Sequence, residues 1–265
     1  MEIVGDKFYK PVSLGDMENE IYERLGSHPR IVPVSTTDAV EGFLVLQYQT
    51  NGSVLEYIMT HLTPFELHLR WIIQLAEGIA YIHSKNVVWC DCKLPNVLVT
   101  ADLNIVLCDF GGSSIDGCPA GVGPPIFYIL PSQLDTSTWR YPPNQDRFAF
   151  GTCTFLLLAR RWPLCSKRLE DEVTWEEMRQ VEHKYRQGEF DALSPEAYPE
   201  LAQVVQKCWR DEYTSTEDML RDIREGCATT LKKYEQADAT ERAQLYGDIL
   251  SGTVQKAPEE LRGSG

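Results

Sequence analysis

The run Phe148 to Ala159 (FAFGTCTFLLLA) constrains the fold most, because its twelve residues carry no charge and would make a helix that is apolar nearly all round. Such a helix has to be enclosed by other elements. It is far short of the roughly 20 apolar residues that cross a bilayer, so it reads as a buried core helix over about 145–160. A chain of 265 residues, 43% of them hydrophobic, has enough apolar mass to enclose it, as one large domain or as two lobes sharing a core.

The segments around that helix are mostly helical. Thr63-Pro64-Phe65-Glu66 offers an N-cap, a proline at the first helical position and a glutamate. Ile72, Leu75, Ala76, Ile79 and Ile82 then line one face, which predicts a helix to about His83. Further helices are expected over about 174–187, 199–209 and 217–231, the last opened by Thr214-Ser215-Thr216-Glu217. Short β-rich pieces are expected at Val87-Val88, Val97–Val99 and Ile105–Leu107, followed by a Gly-, Ser- and Pro-rich loop over 111–125. Long loops in compact domains tend to be functional.

The first 48 residues are mixed: an amphipathic helix over about Asp16 to Gly26, carried by Met17, Ile21 and Leu25, then extended runs Ile31–Val34 and Phe43–Tyr48. Thr50-Asn51-Gly52-Ser53 is a turn signal that divides a small half from a large one. The expected organisation is a small lobe over 1–49, a large lobe over 50–231 and a charged tail over 232–265. The tail holds one weakly amphipathic stretch, Ala239–Leu250, and an ending, Leu261 to Gly265, expected to be disordered.

A formal charge of −14 argues against a nucleic-acid partner, since phosphate backbones demand clustered Lys and Arg, and it favours basic proteins or peptides. No N-terminal stretch has the basic-then-apolar pattern of a signal peptide, so a soluble protein without a membrane partner is expected. The eight cysteines form no C-x-x-C pair and most sit in apolar segments, which suits buried thiols in a reducing compartment. Cys90 and Cys92 lack a second Cys or His pair at metal-ligand spacing.

Asp91, Lys93 and Asn96 lie within six residues between two extended pieces, and eighteen residues past Asp91 comes Asp109-Phe110-Gly111, directly after an apolar strand. That inventory suits phosphoryl transfer. The reaction needs a carboxylate near the attacking hydroxyl, oxygen ligands for Mg²⁺, and lysines where the phosphate oxygens gather charge. Each piece alone is weak, but their order and spacing together are specific.

The two stretches resemble the catalytic loop H-R-D-x-K-x-x-N and the D-F-G motif of eukaryotic-type protein kinases. The resemblance extends over about residues 10–228. It implies an α+β fold of two lobes, with a reduced β-rich N lobe and a mainly helical C lobe. It implies Asp91 as catalytic base, Lys93 on the γ-phosphate, and Asn96 and Asp109 as metal ligands. Leu98 would lie under the adenine, the backbones of Gln47 and Gln49 would meet it, and Leu46 would be the gatekeeper. The resemblance implies Lys10 as the phosphate-binding lysine and Glu18 as its ion-pair partner, with Glu20 as the alternative. Asp146-x-x-x-x-Gly151 resembles the start of the family's buried helix, whose aspartate holds the catalytic-loop backbone, and Cys208-Trp209 resembles a packing pair on a late helix.

The chain also departs from the pattern. No G-x-G-x-x-G precedes Lys10, so either the N-terminus is truncated or the small lobe is reduced. Trp89 and Cys90 replace the His and Arg, and loss of the Arg implies activity independent of activation-loop phosphorylation. Trp89 must find room and an N–H partner beneath Phe110. Ser132 and Thr216 stand where the family has a Glu and its Arg partner; losing both ends of an ion pair need not destabilise the fold. The pattern is similar to divergent kinase-like proteins of filamentous fungi. The function implied is a Ser/Thr-type protein kinase using ATP and Mg²⁺ on a protein substrate in the cytoplasm or nucleus. The alternatives are a pseudokinase scaffold that binds nucleotide weakly or not at all, and a small-molecule kinase of the aminoglycoside-phosphotransferase type, against which the Asp146 and Cys208-Trp209 motifs argue.

Overall fold

The computed structural model describes residues 2–12, 17–35 and 40–250. Its N-terminal part is a three-stranded antiparallel sheet in the order β1 (Glu2–Val4), β2 (Lys7–Pro11), β3 (Phe43–Gln47), with helix α1 (Met17–Leu25) lying between β2 and β3 in sequence. Gly5, at φ +62°, opens the turn between β1 and β2, and it is the one glycine ahead of Lys10. In α1 the buried residues are Glu18, Ile21, Tyr22 and Leu25, one helical stripe turned toward the rest of the protein.

The C-terminal part is helical, in the order α2 (Val54–Thr60), α3 (Phe65–Ser84), α4 (Asn144–Ala159), α5 (Trp175–Arg186), α6 (Pro199–Trp209), α7 (Thr216–Gln236) and α8 (Ala239–Leu250). Helix α4 is the enclosed one: fourteen of its residues are buried, from Gln145 to Leu158. It packs against α3, α6 and α8. The approach to α6 is so close that a Cβ on Gly151 would stand 2.8 Å from the Cys208 Cβ and 3.3 Å from the Trp209 ring. Two small hairpin-like pairs cross the front of this lobe: β4 (Val87–Val88) with β7 (Ser114–Ile115), and β5 (Val97–Val99) with β6 (Ile105–Leu107). This is the expected α+β arrangement of a small β lobe on a helical lobe.

Several local expectations change. Thr63 does not cap α3; Pro64 is the N-cap residue, and the Thr63 hydroxyl turns instead to the His68 ring. Ile31–Val34 makes only single bridges, Ile31 to Leu107 and Val34 to Leu46, because Pro33 between them has no N–H to extend a ladder. Helix α2 was not expected, although Ser53 and Glu56 form a full capping box at its start. The boundary expected after 231 falls inside α7, and 239–250 packs onto the large lobe as α8 with Tyr246 and Ile249 buried. Residue 16, at the expected start of α1, and the ending 261–265 lie outside the described residues. Among the described residues no helix is long and apolar enough to cross a membrane, and all eight cysteines are free thiols.

Candidate active site

Strand β2 and helix α1 present the first charged pair. The Lys10 ammonium lies 2.7 Å from Glu18 Oε2 and 2.6 Å from Asp109 Oδ1, joining residues ninety-nine positions apart. Glu18 is buried at 1% exposure and also accepts the Phe110 backbone N–H at 3.1 Å. Burial raises the Glu18 carboxyl, and the Lys10 charge offsets that only in part. Burial pulls the Lys10 ammonium down, but hydrogen bonds to Asp109 and Glu18 outweigh it and the net direction is up. The site thus favours the charged form of Lys10 and makes Glu18 easier to protonate than a carboxyl in water. Glu20, the alternative partner, faces solvent.

Behind it the chain leaves β4 into the loop that carries Asp91. Asp146, fully buried at the start of α4, accepts the backbone N–H groups of Trp89 at 2.6 Å and Cys90 at 2.9 Å. His83 Nε2 meets the same carboxylate at 3.0 Å, and His83 Nδ1 meets the Thr216 hydroxyl at 2.7 Å, so Thr216 has a partner of its own where an arginine was expected. Cys90 is held at φ +63° and Asp109 at φ +58°, left-handed conformations that cost about 1–3 kcal/mol each in non-glycine residues. Such strain persists only where surrounding contacts enforce it. Here the Asp146 carboxylate does so for the first.

For the second the enforcing group is Trp89. Its ring is fully buried against Phe110, with centroids 5.9 Å apart, and its indole N–H donates to both the Cys108 and the Asp109 carbonyls at 3.2 Å. Phe110 packs edge-on against Tyr22 of α1 at 5.2 Å, so an aromatic column runs from the large lobe into the small one. The larger ring thus has both its room and its partner.

Asn96 joins the two acidic residues. It donates to the Asp91 carboxylate at 2.8 Å and to the Asp91 carbonyl at 3.0 Å, and its own carbonyl accepts the Cys108 N–H at 3.1 Å, one residue before Asp109. Lys93 Nζ lies 2.8 Å from Asp91 Oδ2. Lys10, Glu18 and Asp109 form one set of contacts and Asp91, Lys93 and Asn96 another, tied by the Cys108–Asn96 backbone bond.

A cleft of about 400 Å³ opens beside this set, lined by Lys10, Asn96 and Asp109 among charged and polar groups and by Phe8, Leu46 and Leu98 among apolar ones. Gln47 and Gln49 line it where the two lobes connect, with the Gln49 side-chain amide donating to the Gln47 carbonyl at 3.3 Å. Asp91 and Lys93 are not part of its lining; Lys93 borders a separate groove. A larger hollow of about 680 Å³ lies between α1 and β3 and contains none of these residues. Cys108 lines the cleft, which sequence reasoning missed; burial pushes its thiol up to about 12, so it is a neutral wall group at physiological pH. His83 was missed as well. It follows the apolar stripe of α3, and no sequence signal distinguishes it.

The segment after Asp109 is pinned without any added charge. Arg24 of α1 makes a bidentate pair with Asp116, at 2.9 and 3.1 Å, and Asp116 N–H donates to the Asn86 carbonyl at 2.9 Å. Ser113 is fully buried and donates to the Trp89 carbonyl at 2.9 Å, while Ser114, 1% exposed, donates to the Cys118 carbonyl. Ser132, by contrast, is exposed.

The chain is also similar to known proteins. The chain is 22% identical over 202 residues to the human receptor-interacting serine/threonine-protein kinase 1, covering 69% of this chain and 29% of that protein. It is 24% identical over 242 residues to serine/threonine-protein kinase 17A of Oryctolagus cuniculus, covering 83% and 58%. It is 27% identical over 127 residues to the mitogen-activated protein kinase kinase kinase dlk-1 of Caenorhabditis elegans, covering 45% and 13%. The chain thus spans less than two thirds of the length of these relatives. The family model for the protein kinase domain matches residues 12–225, and the chain belongs to the protein kinase domain family.

Proposed function

We propose that the chain transfers the γ-phosphoryl group of ATP to a serine or threonine hydroxyl of a protein. The observation that carries this reading is the Lys10 ammonium held 2.7 Å from Glu18 and 2.6 Å from Asp109, three residues from separate segments meeting at the mouth of the cleft. Lys10, oriented by Glu18, would contact the nucleotide phosphates, and the Gln47 and Gln49 backbones with Leu98 would hold the adenine. Asp91 takes the proton from the incoming hydroxyl as its oxygen bonds to the γ-phosphorus. The bond from that phosphorus to the β,γ-bridging oxygen breaks and ADP departs with the electron pair. Lys93 would then meet the charge on the γ-phosphate oxygens.

The donor set fits Mg²⁺. Asn96 and Asp109 offer oxygen ligands of the hard type this ion prefers, and the Asp109 side chain is 47% exposed toward the cleft. Held there, the ion would neutralise charge on the phosphates. Two features support Ser/Thr over Tyr as acceptor: Lys93 follows Asp91 by two residues, and two of the relatives above are named serine/threonine kinases. The buried Ser113 and Ser114 and the Arg24–Asp116 pair support activity without prior phosphorylation of this segment. Free thiols at all eight cysteines support a reducing compartment such as the cytoplasm.

The test is a thermal-shift titration with Mg²⁺–ATP, paired with transfer of radiolabelled phosphate to basic protein substrates. Wild type should show a Mg²⁺-dependent shift and Asp109→Ala should lose it. A wild type indifferent to Mg²⁺–ATP would replace this reading with that of a kinase fold that only docks partners.

A further inference from the structure

Helix α1 carries a tyrosine where the two lobes meet. Tyr22 is 4% exposed, and its ring stands edge-on to Phe110 at 5.2 Å. Its hydroxyl is shut off from solvent and has no hydrogen-bond partner among the described residues. A buried polar group without a partner destabilises a fold, so its presence calls for a compensating use. The oxygen lies beside the Asp109 backbone N–H, outside bonding geometry, with Glu18 and Cys108 also close by. Burial pushes the phenol well above its ordinary 10, so it stays an O–H throughout the physiological range.

The main chain around that N–H is gripped at every other point. The Cys108 N–H donates to the Asn96 carbonyl at 3.1 Å, the Asp109 carbonyl accepts the Trp89 indole at 3.2 Å, and the Phe110 N–H donates to Glu18 at 3.1 Å. The Asp109 N–H itself meets no backbone acceptor among the described residues. The Asp109 carboxylate is held by Lys10 at 2.6 Å. Under the proposed function that contact is given up, because the carboxylate turns to Mg²⁺ and Lys10 to the phosphates. One donor then stays unheld in a residue that must keep its φ of +58°, and the Tyr22 oxygen is the group beside it.

We propose that Tyr22 is a positioning residue for Asp109, whose hydroxyl oxygen accepts the Asp109 N–H when the lobes draw together on Mg²⁺–ATP. The inference rests on the Mg²⁺–ATP reading of the site and adds to it a residue that acts only through the Asp109 backbone. The free protein carries the unpaired hydroxyl and the loaded one pairs it. Removing the oxygen therefore acts in opposite directions on the fold and on binding.

The experiment compares Tyr22→Phe with wild type on the full chain. Without ligand the variant should melt at or above the wild-type temperature, by up to roughly 4 °C, since it loses an unpaired buried oxygen and no packing. Its Mg²⁺–ATP affinity, measured by calorimetry, should be roughly 3- to 10-fold weaker, the worth of one hydrogen bond. Amide exchange at Asp109, followed by NMR, should slow on addition of Mg²⁺–ATP in wild type and much less in the variant. A lower melting temperature of the ligand-free variant, an unchanged Mg²⁺–ATP affinity, or equal slowing at Asp109 in both proteins would overturn the inference. Transfer of phosphate to a basic protein separates the two claims. If wild type binds Mg²⁺–ATP and transfers phosphate and the variant matches it in affinity, the inference falls and the transferase stands. If wild type binds Mg²⁺–ATP without transfer and the variant binds weakly, the transferase falls and the inference stands. A wild type indifferent to Mg²⁺–ATP ends both.

Discussion

Replacing Trp89 by phenylalanine tests the link between the aromatic column and the Asp109 backbone. The substitution removes one N–H that serves two half-buried carbonyls, those of Cys108 and Asp109, at 3.2 Å. Leaving such acceptors short of a donor costs about 1–2 kcal/mol. It also deletes roughly three buried heavy atoms from a fully enclosed ring, about 2 kcal/mol more in lost burial and residual cavity. The sum, about 3–4 kcal/mol, corresponds to a fall in Tm of roughly 6–15 °C for a domain of this size. Urea and thermal unfolding followed by far-ultraviolet circular dichroism measure it. Trp89→His separates the two contributions, because it returns a ring N–H in a still smaller volume. It should lose at least as much stability as Trp89→Phe yet keep more of the Mg²⁺–ATP shift. A Trp89→Phe protein within about 1 kcal/mol of wild type, or identical nucleotide shifts in the two variants, would refute the idea that the indole holds Asp109 in its left-handed conformation.

Other expectations follow from the same contacts. Gly151→Ala should cost about 1–3 kcal/mol in urea unfolding, because the new methyl, 2.8 Å from the Cys208 Cβ, forces α4 and α6 apart; a neutral result would mean that the helices separate freely. Asp146→Asn trades one of two acceptor oxygens for a donor facing backbone N–H groups, and should destabilise by about 2–4 kcal/mol while lowering any transfer activity through Cys90 and Asp91. The Glu18 carboxyl, raised by burial above its ordinary 4.5, takes up a proton at higher pH folded than unfolded, so acid does not cost the fold stability at this residue. Protonation does remove the anion facing Lys10. Mg²⁺–ATP affinity should therefore begin to fall above pH 4.5 as pH is lowered, with no matching fall in Tm from this group, and Glu18→Gln should be weak at every pH. Ser113→Asp should destabilise severely by burying an unpaired charge, and mass spectrometry after incubation with ATP should find no phosphate on Ser113 or Ser114.

Where sequence spacing reflects a single physical cause, it was legible. The stripe of α1 was legible from Met17, Ile21 and Leu25, whereas the pairing of Glu18 with Lys10 came from the family resemblance, and the two side chains do meet. Gly151 and Cys208-Trp209 were legible only as motifs that resemble the family's; that two helices cross closely where they meet is set by the fold. The Asp91 and Asp109 motifs were legible as patterns, but not that Asn96 bonds both the Asp91 carboxylate and the Cys108 N–H, which depends on how strands β5 and β6 pair. Strand β7 escaped because two residues have no period, and its pairing with β4 is set entirely by tertiary contact. The Thr63 cap failed because a buried histidine five residues on competes for the hydroxyl. Helix α2 did carry its signal in Ser53 and Glu56, overshadowed by the neighbouring turn residues.

The last two helices set a limit on how the chain can be shortened. The Phe65 ring that opens α3 is covered by Tyr234 of α7 at 4.4 Å and Tyr246 of α8 at 4.7 Å, and Tyr198 closes the group against Tyr246 at 5.6 Å. The family match ends at residue 225, within α7, before either covering tyrosine. A version trimmed to that point would uncover a contiguous aromatic face and cut a helix midway through its turns, and such faces promote self-association in water. Residues of 226–250 therefore cover the Phe65 ring, and a chain trimmed to residue 225 is expected to self-associate where wild type does not.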